Sequence, residues 1–137
     1  MKYNYYIGID PGVNTGIAIW NKTGKCLGSI RTLPIHQAMG IVYKYKGTDS
    51  VFVRVEDARQ RKWFGERAEQ KQQGAGSVKR DCKIWEDLLT DLNIPFEMVA
   101  PRKGMTKYSA AAFKKLTGYE GKTSEHARDA GMLVFGL

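Results

Sequence analysis

The sequence predicts an α/β fold in which a five-stranded mixed sheet, strand order 3-2-1-4-5, is flanked by helices. Three observations predict it. Residues 3–10 are largely apolar with little alternation, as a central strand covered on both faces requires. Residues 16–32 hold two strand-like runs joined by the turn former Asn21-Lys22-Thr23-Gly24, which extends the first strand into a meander. The β-branched run Val51-Phe52-Val53-Arg54-Val55 then follows a helix-length segment. A right-handed crossover from strand three lays that fourth strand parallel to strand one, beside it.

The remaining elements follow in order. Pro34 opens a helix expected to reach about Tyr45, and Gly47-Thr48-Asp49-Ser50 breaks it. Residues 57–73 are polar and Gln-rich, with Trp63-Phe64 as their large apolar pair, and read as a loop or a solvated helix. After Gly74-Ala75-Gly76, Ser77 can cap a helix running to about Leu92. Val78, Cys82, Trp85, Leu88, Leu89 and Leu92 recur at helical spacing and give it an apolar face. Pro95 to Ala100 is the fifth strand. Thr106 can cap a helix ending near Gly118, and Thr123 or Ser124 can cap the last one.

The 137 residues fit a single domain spanning 1–137, with 42% apolar and 26% charged residues, as in ordinary globular chains. The charge balance departs from the ordinary: 22 Lys plus Arg face 14 Asp plus Glu, a net charge of +8. Such a surface draws polyanions, and nucleic acid is the commonest such partner. The apolar run Ala130 to Leu137 is too short to span a bilayer. Met1-Lys2-Tyr3-Asn4 runs directly into a strand with no leader pattern, and Cys26 and Cys82 lack metal spacing. A cytoplasmic protein with reduced cysteines, no membrane partner and no small-molecule cofactor is expected.

Asp10 ends the first strand and enters Pro11-Gly12-Val13-Asn14-Thr15-Gly16, while Glu56 ends the fourth. The topology makes them neighbours roughly 4.8 Å apart, at the carboxyl edge where open α/β sheets place their ligands. Asp129 lies near the start of the last helix, one turn after His126, so both project from one face. Each acid has an ordinary reading alone: a turn former, a solvated strand end, a helix N-terminal charge. Together, in a basic chain, they suggest a metal site for cutting nucleic acid. Phosphodiester cleavage needs phosphate charge neutralised, water activated and an alkoxide stabilised. Two Mg²⁺ or Mn²⁺ ions roughly 3.5–4 Å apart meet all three needs. Asp10, on the central strand, is the natural bridging ligand, with Glu56 and Asp129 on either side. His126 can bind the second metal or carry a proton.

Ile7-Gly8-Ile9-Asp10-Pro11-Gly12 with Thr15-Gly16, then Val55-Glu56, then His126-Ala127-Arg128-Asp129-Ala130, resembles RuvC-type Holliday junction resolvases. These are members of the ribonuclease H-like superfamily, and the resemblance covers nearly the whole chain. It implies a ribonuclease H-like fold and a homodimeric crossover junction endodeoxyribonuclease acting in recombination and repair. Such an enzyme nicks opposing strands of a four-way junction with divalent metals. Asp10, Glu56 and Asp129 match the family's metal-binding acids. His126 stands where many members have a further carboxylate and some have histidine, which bears on the preferred metal and pH profile. Lys107 matches a lysine that contacts phosphate, with Arg102 and Lys103 as rivals for the role. The chain is somewhat shorter than typical bacterial members.

Arg59, Arg61, Lys62, Trp63 and Phe64, with Arg67 and Lys71 beyond, mix cations and aromatics just after Glu56. Cations hold phosphates, and exposed aromatics stack on unpaired bases. Similar enzymes use an aromatic in this loop to open the crossover; the alternative is that Trp63-Phe64 tucks into the domain edge. Lys79, Arg80 and Lys83 extend the basic surface along the next helix. Its stripe, with Val78, Trp85 and Leu89, is shared between core and a dimer interface in which Trp85 is the expected anchor. Two-fold symmetry would set two sites on opposing strands, as paired nicking requires. An actin-like nucleotide-binding fold is discounted, because the chain shows neither a second phosphate loop nor a second lobe. A ribonuclease H-like enzyme for flaps, other branched DNA or RNA–DNA hybrids remains an alternative, as does an inactive binder of branched DNA.

Overall fold

A computed structural model describes residues 3–48, 50–60, 76–101 and 107–137. The elements run β1 (Tyr5–Asp10), β2 (Asn14–Asn21), β3 (Cys26–Pro34), α1 (Ile35–Thr48), β4 (Val51–Glu56), a 3-10 turn (Ala58–Gln60), α2 (Gly76–Asp91), β5 (Phe96–Val99), α3 (Ala110–Thr117) and α4 (Glu125–Val134). The five strands form one mixed sheet in the order β3-β2-β1-β4-β5, as the sequence predicts. β1, β2 and β3 pair antiparallel, whereas β4 lies parallel to β1 and β5 parallel to β4.

Alternation along the strands divides the core into two layers. Ile7, Ile9, Ile17, Ile19, Val51, Val53 and Val55 meet Ala38 and Val42 of α1 and Trp85 and Leu89 of α2 on one face. On the other, Ala18, Trp20 and Ile30 meet Phe113 of α3 and Ala127, Ala130 and Val134 of α4. The small residues of this second layer have a purpose. A Cβ on Gly8 would stand 2.1 Å from the Ala130 carbonyl oxygen, and a Cβ on Gly16 would stand 2.1 Å from that of His126. Antiparallel register places Gly16 beside Asp10 and Ala18 beside Gly8, so a floor without bulky side chains receives α4 directly. The Arg54 guanidinium completes the seat, its Nη1 donating to the Leu133 carbonyl at 2.6 Å.

Several boundaries differ from the expected ones. Pro34 ends β3 instead of opening the helix, and α1 runs past Tyr45 to Thr48. Ser77 falls inside α2, which begins at Gly76. Ser109, whose Oγ accepts from the Ala112 N–H, caps α3, so the helix starts after the position expected from Thr106. Ser124, one of two candidates, caps α4 by accepting from the Ala127 N–H.

The α2 stripe is corrected as well. Trp85 and Leu89 are fully buried against the chain's own sheet, so neither is free to anchor a dimer interface. Helical periodicity alone does not distinguish a stripe packed on its own sheet from one packed on a second copy. Val78 is half-buried, and Ile84 is the large apolar side chain that α2 exposes. Cys26 and Cys82 are both free. Among the described residues, no helix is long and apolar enough to cross a membrane.

Candidate active site

Strand parity, crossover and helix seat converge on one point. Asp10 shares the α4-facing side of β1 with Gly8, and Glu56 shares the same side of β4 with Arg54. The parallel pairing of Ile9 with Val55 leaves Asp10 and Glu56 side by side at the strand ends. Each carboxyl group is close enough to perturb the protonation of the other. His126 and Asp129 arrive from the first turns of α4, which the glycine floor brings down onto the sheet. His126 Nδ1 lies 2.9 Å from Asp10 Oδ2. Donor atoms of Asp10, His126 and Asp129 all fall within 4.8 Å of one another. Glu56 joins this group through Asp10.

Electrostatically the site favours an added cation. Burial, then the negative charge of Asp10 and the hydrogen bond to it, push the Glu56 carboxyl up to about 7. Burial also raises the Asp10 carboxyl, with Asp129 adding repulsion, while the His126 and Glu56 hydrogen bonds pull the other way. Carboxyl groups crowded into a partly dry site resist full ionisation until positive charge arrives. Asp10, His126 and Asp129 each offer one ligand atom at a spacing that could hold a metal ion.

One protein cation already reaches the group. Lys107 Nζ lies 2.6 Å from Asp129 Oδ2 and 3.2 Å from Glu125 Oε1. Its ammonium is held above the usual lysine range: burial opposes the charge, but the bonds to Asp129 and Glu125 outweigh it. Lys107 precedes α3 outside any helix or strand, whereas a cap at Thr106 would have made it the first helical residue. Even so, it reaches the acids.

Among the other expected nucleic-acid contacts, Arg59 is corrected. Its Nε and Nη2 grip both oxygens of Asp57, at 2.7 and 3.0 Å, and its Nη1 donates to Glu86 Oε1 at 3.1 Å. Asp57 is buried and also receives the Gln60 amide and the Arg59 N–H. Burial would raise its carboxyl, but these bonds hold it below the ordinary carboxylate range. A guanidinium so committed fastens the chain after Glu56 to α2 and has little left for phosphate. Arg80 is exposed, with Nε 3.8 Å from Asp81, and Lys79 is half-buried. Lys83 pairs with Asp87 at 2.9 Å. Arg61, Lys62, Trp63, Phe64, Arg67, Lys71, Arg102, Lys103 and Thr106 lie outside the described residues.

Neither the model of any known protein family nor the sequence of any curated protein matches the chain.

Sequence reasoning passed over four contributors. Glu125 sits beside Lys107, yet an acid in a first helical turn is normally taken as a dipole partner. Asp57 follows Glu56 directly and reads as one more surface acid until Arg59 is seen on it. Gly8 and Gly16 lie on one face of paired strands, opposite a helix that carries Ala127, Ala130 and Gly131. That pattern is the available signal for close helix–sheet approach.

Proposed function

We propose that the chain is a metal-dependent endodeoxyribonuclease of ribonuclease H-like fold that resolves four-way DNA junctions by paired nicking. The observation that carries the chemistry is the convergence of Asp10, Glu56, His126 and Asp129 at the carboxyl edge of the sheet. A net charge of +8 supports a nucleic-acid substrate. The four-way junction, the homodimer and a role in recombination come from the RuvC-like motifs. The sheet order β3-β2-β1-β4-β5 is consistent with that family's fold.

Asp10, Glu56, His126 and Asp129 would hold one or two divalent ions, which supply charge neutralisation at the phosphate and an activated water. The residues themselves have distinct tasks. Asp10, nearly covered and fixed on the central strand, orients the ligand set. Glu56 adds a further carboxylate beside Asp10, and a bound cation would favour its ionised form. His126, with Nδ1 turned to Asp10, is held in one ring orientation and more than half exposed toward incoming substrate. Lys107 offers an ammonium beside Asp129, placed to take a phosphate oxygen when DNA enters.

The test is cleavage of a four-way junction labelled on each strand in turn, beside a flap, a linear duplex and an RNA–DNA hybrid. Symmetric nicks in opposing strands, confined to the junction and dependent on Mg²⁺ or Mn²⁺, are expected. Equal or better cleavage of the flap or hybrid would replace the substrate while leaving the site chemistry. Tight junction binding with no cutting of any substrate would make the chain a binder.

A further inference from the structure

We propose that Arg128 is a positioning residue that fixes the Lys107 ammonium over the site acids. The proposal rests on the active site assigned above and adds a residue to it.

Arg128 sits one position before Asp129 on α4 and is half-buried. Its guanidinium makes three hydrogen bonds: Nε to the Tyr108 carbonyl at 2.8 Å, and Nη1 to the Thr123 carbonyl at 2.9 Å and Thr123 Oγ1 at 3.0 Å. Tyr108 and Thr123 stand on either side of the excursion that contains α3. One planar side chain therefore clips together both ends of that excursion, next to the residue that Lys107 contacts. Tyr108 is peptide-bonded to Lys107. Fixing its carbonyl fixes the origin of the lysine stem, and Lys107 Nζ then meets Asp129 and Glu125.

The physical need is entropic. A lysine stem has four rotatable carbons, and an ammonium on a free backbone would spread over many positions. A guanidinium suits the clip because its donors lie in a fixed plane and can reach two carbonyls at once, which a lysine cannot reproduce. The partners are main-chain and hydroxyl oxygens, so the group is used here as a scaffold.

The test separates Lys107 from the rest of the site. Order parameters of the Lys107 Cε–Nζ group are measured by NMR in the full chain, with the signal assigned by its loss in Lys107→Met. In Arg128→Gln the Lys107 order parameter is expected to fall toward that of exposed lysines, while amide shifts of Ala127 and Ala130 stay in place. Arg128→Lys, which keeps the charge, should recover only part of the order. Junction cleavage should fall about tenfold in Arg128→Gln and show no further fall when the substitution is made in Lys107→Met.

Unchanged Lys107 order in folded Arg128→Gln would overturn the proposal, as would fully additive rate losses in the double variant. Unfolding of both Arg128 variants would overturn it too, by making the residue a determinant of the fold. A fall in Lys107 order in a chain that cleaves no DNA would sustain the clip and remove the nuclease reading. The two failures are thus distinguishable.

Discussion

Gly16 of β2 and His126 of α4 are in such close backbone contact that a Cβ on Gly16 would stand 2.1 Å from the His126 carbonyl oxygen. This approach, repeated between Gly8 and Ala130, brings a helix-borne imidazole and carboxylate onto a carboxylate at the end of β1.

Replacing either glycine by alanine should therefore damage both stability and site. The atom met is backbone carbonyl, which cannot rotate away as a side chain can. Gly16→Ala should cost at least the upper end of the roughly 1–3 kcal/mol typical of overpacking. Gly40→Ala is the control. Gly40 lies within α1 and a Cβ there meets nothing within 4 Å. That variant should gain roughly 0.5–1 kcal/mol from helix propensity. Urea unfolding of the three proteins checks the contrast, and equal stability of Gly16→Ala and wild type would contradict the close packing.

Asp57 and Arg59 form the clamp that follows Glu56. Asp57→Ala would leave a guanidinium without its two strongest acceptors, a change that costs about 3–5 kcal/mol when such a pair is buried. The partial exposure of Arg59 puts the expected loss at the lower end. Because the folded carboxyl lies below its ordinary value of 3.8, its contribution is present above that value and lost as pH falls through the folded pKa. Acid unfolding followed by circular dichroism should show the wild type losing this advantage over Asp57→Ala below about pH 4.

Glu56 gives the opposite pH dependence. Its folded carboxyl is raised from 4.5 to about 7, so between those values the folded state binds more protons than the unfolded one. Stability of the metal-free protein should fall as pH rises through that window. Glu56→Gln should flatten the fall. A divalent ion needs the deprotonated carboxylates, so its stabilising effect should grow over the same range. Melting temperatures with EDTA and with Mn²⁺ at pH 5, 6, 7 and 8, buffers chosen for this test on the order of one pH unit apart, check both signs.

The two cysteines should differ sharply toward alkylation. Cys26 is exposed, whereas Cys82 is fully buried and burial raises its thiol pKa. Iodoacetamide should label Cys26 in the native protein and both residues only after denaturation. Prompt native labelling of Cys82 would mean that α2 opens readily from the sheet.

How far the sequence could be read depended on whether local pattern or distant geometry decided each feature. The adjacency of Asp10 and Glu56 was legible because strand-end position and the right-handed crossover rule suffice to derive it. Trp85 was not resolved: a helical stripe looks the same whether it meets its own sheet or a second copy. Arg59 misled for a related reason, since its acceptor Glu86 lies on another element and only the fold brings it near. Thr106 and Ser109 are both good N-caps, and choosing between them depends on where the chain leaves the sheet. Gly8 and Gly16 could be seen as strand residues, but their use depends on a helix more than a hundred positions away.

The most direct test of the metal-nuclease account is the single substitution Asp10→Asn. Cleavage of a four-way junction with Mg²⁺ or Mn²⁺ is compared with wild type, and junction binding is measured for both in EDTA. The account predicts metal-dependent cleavage by wild type, none by Asp10→Asn, and similar binding by the two proteins. Cleavage by Asp10→Asn at the wild-type rate would contradict the assignment of the site.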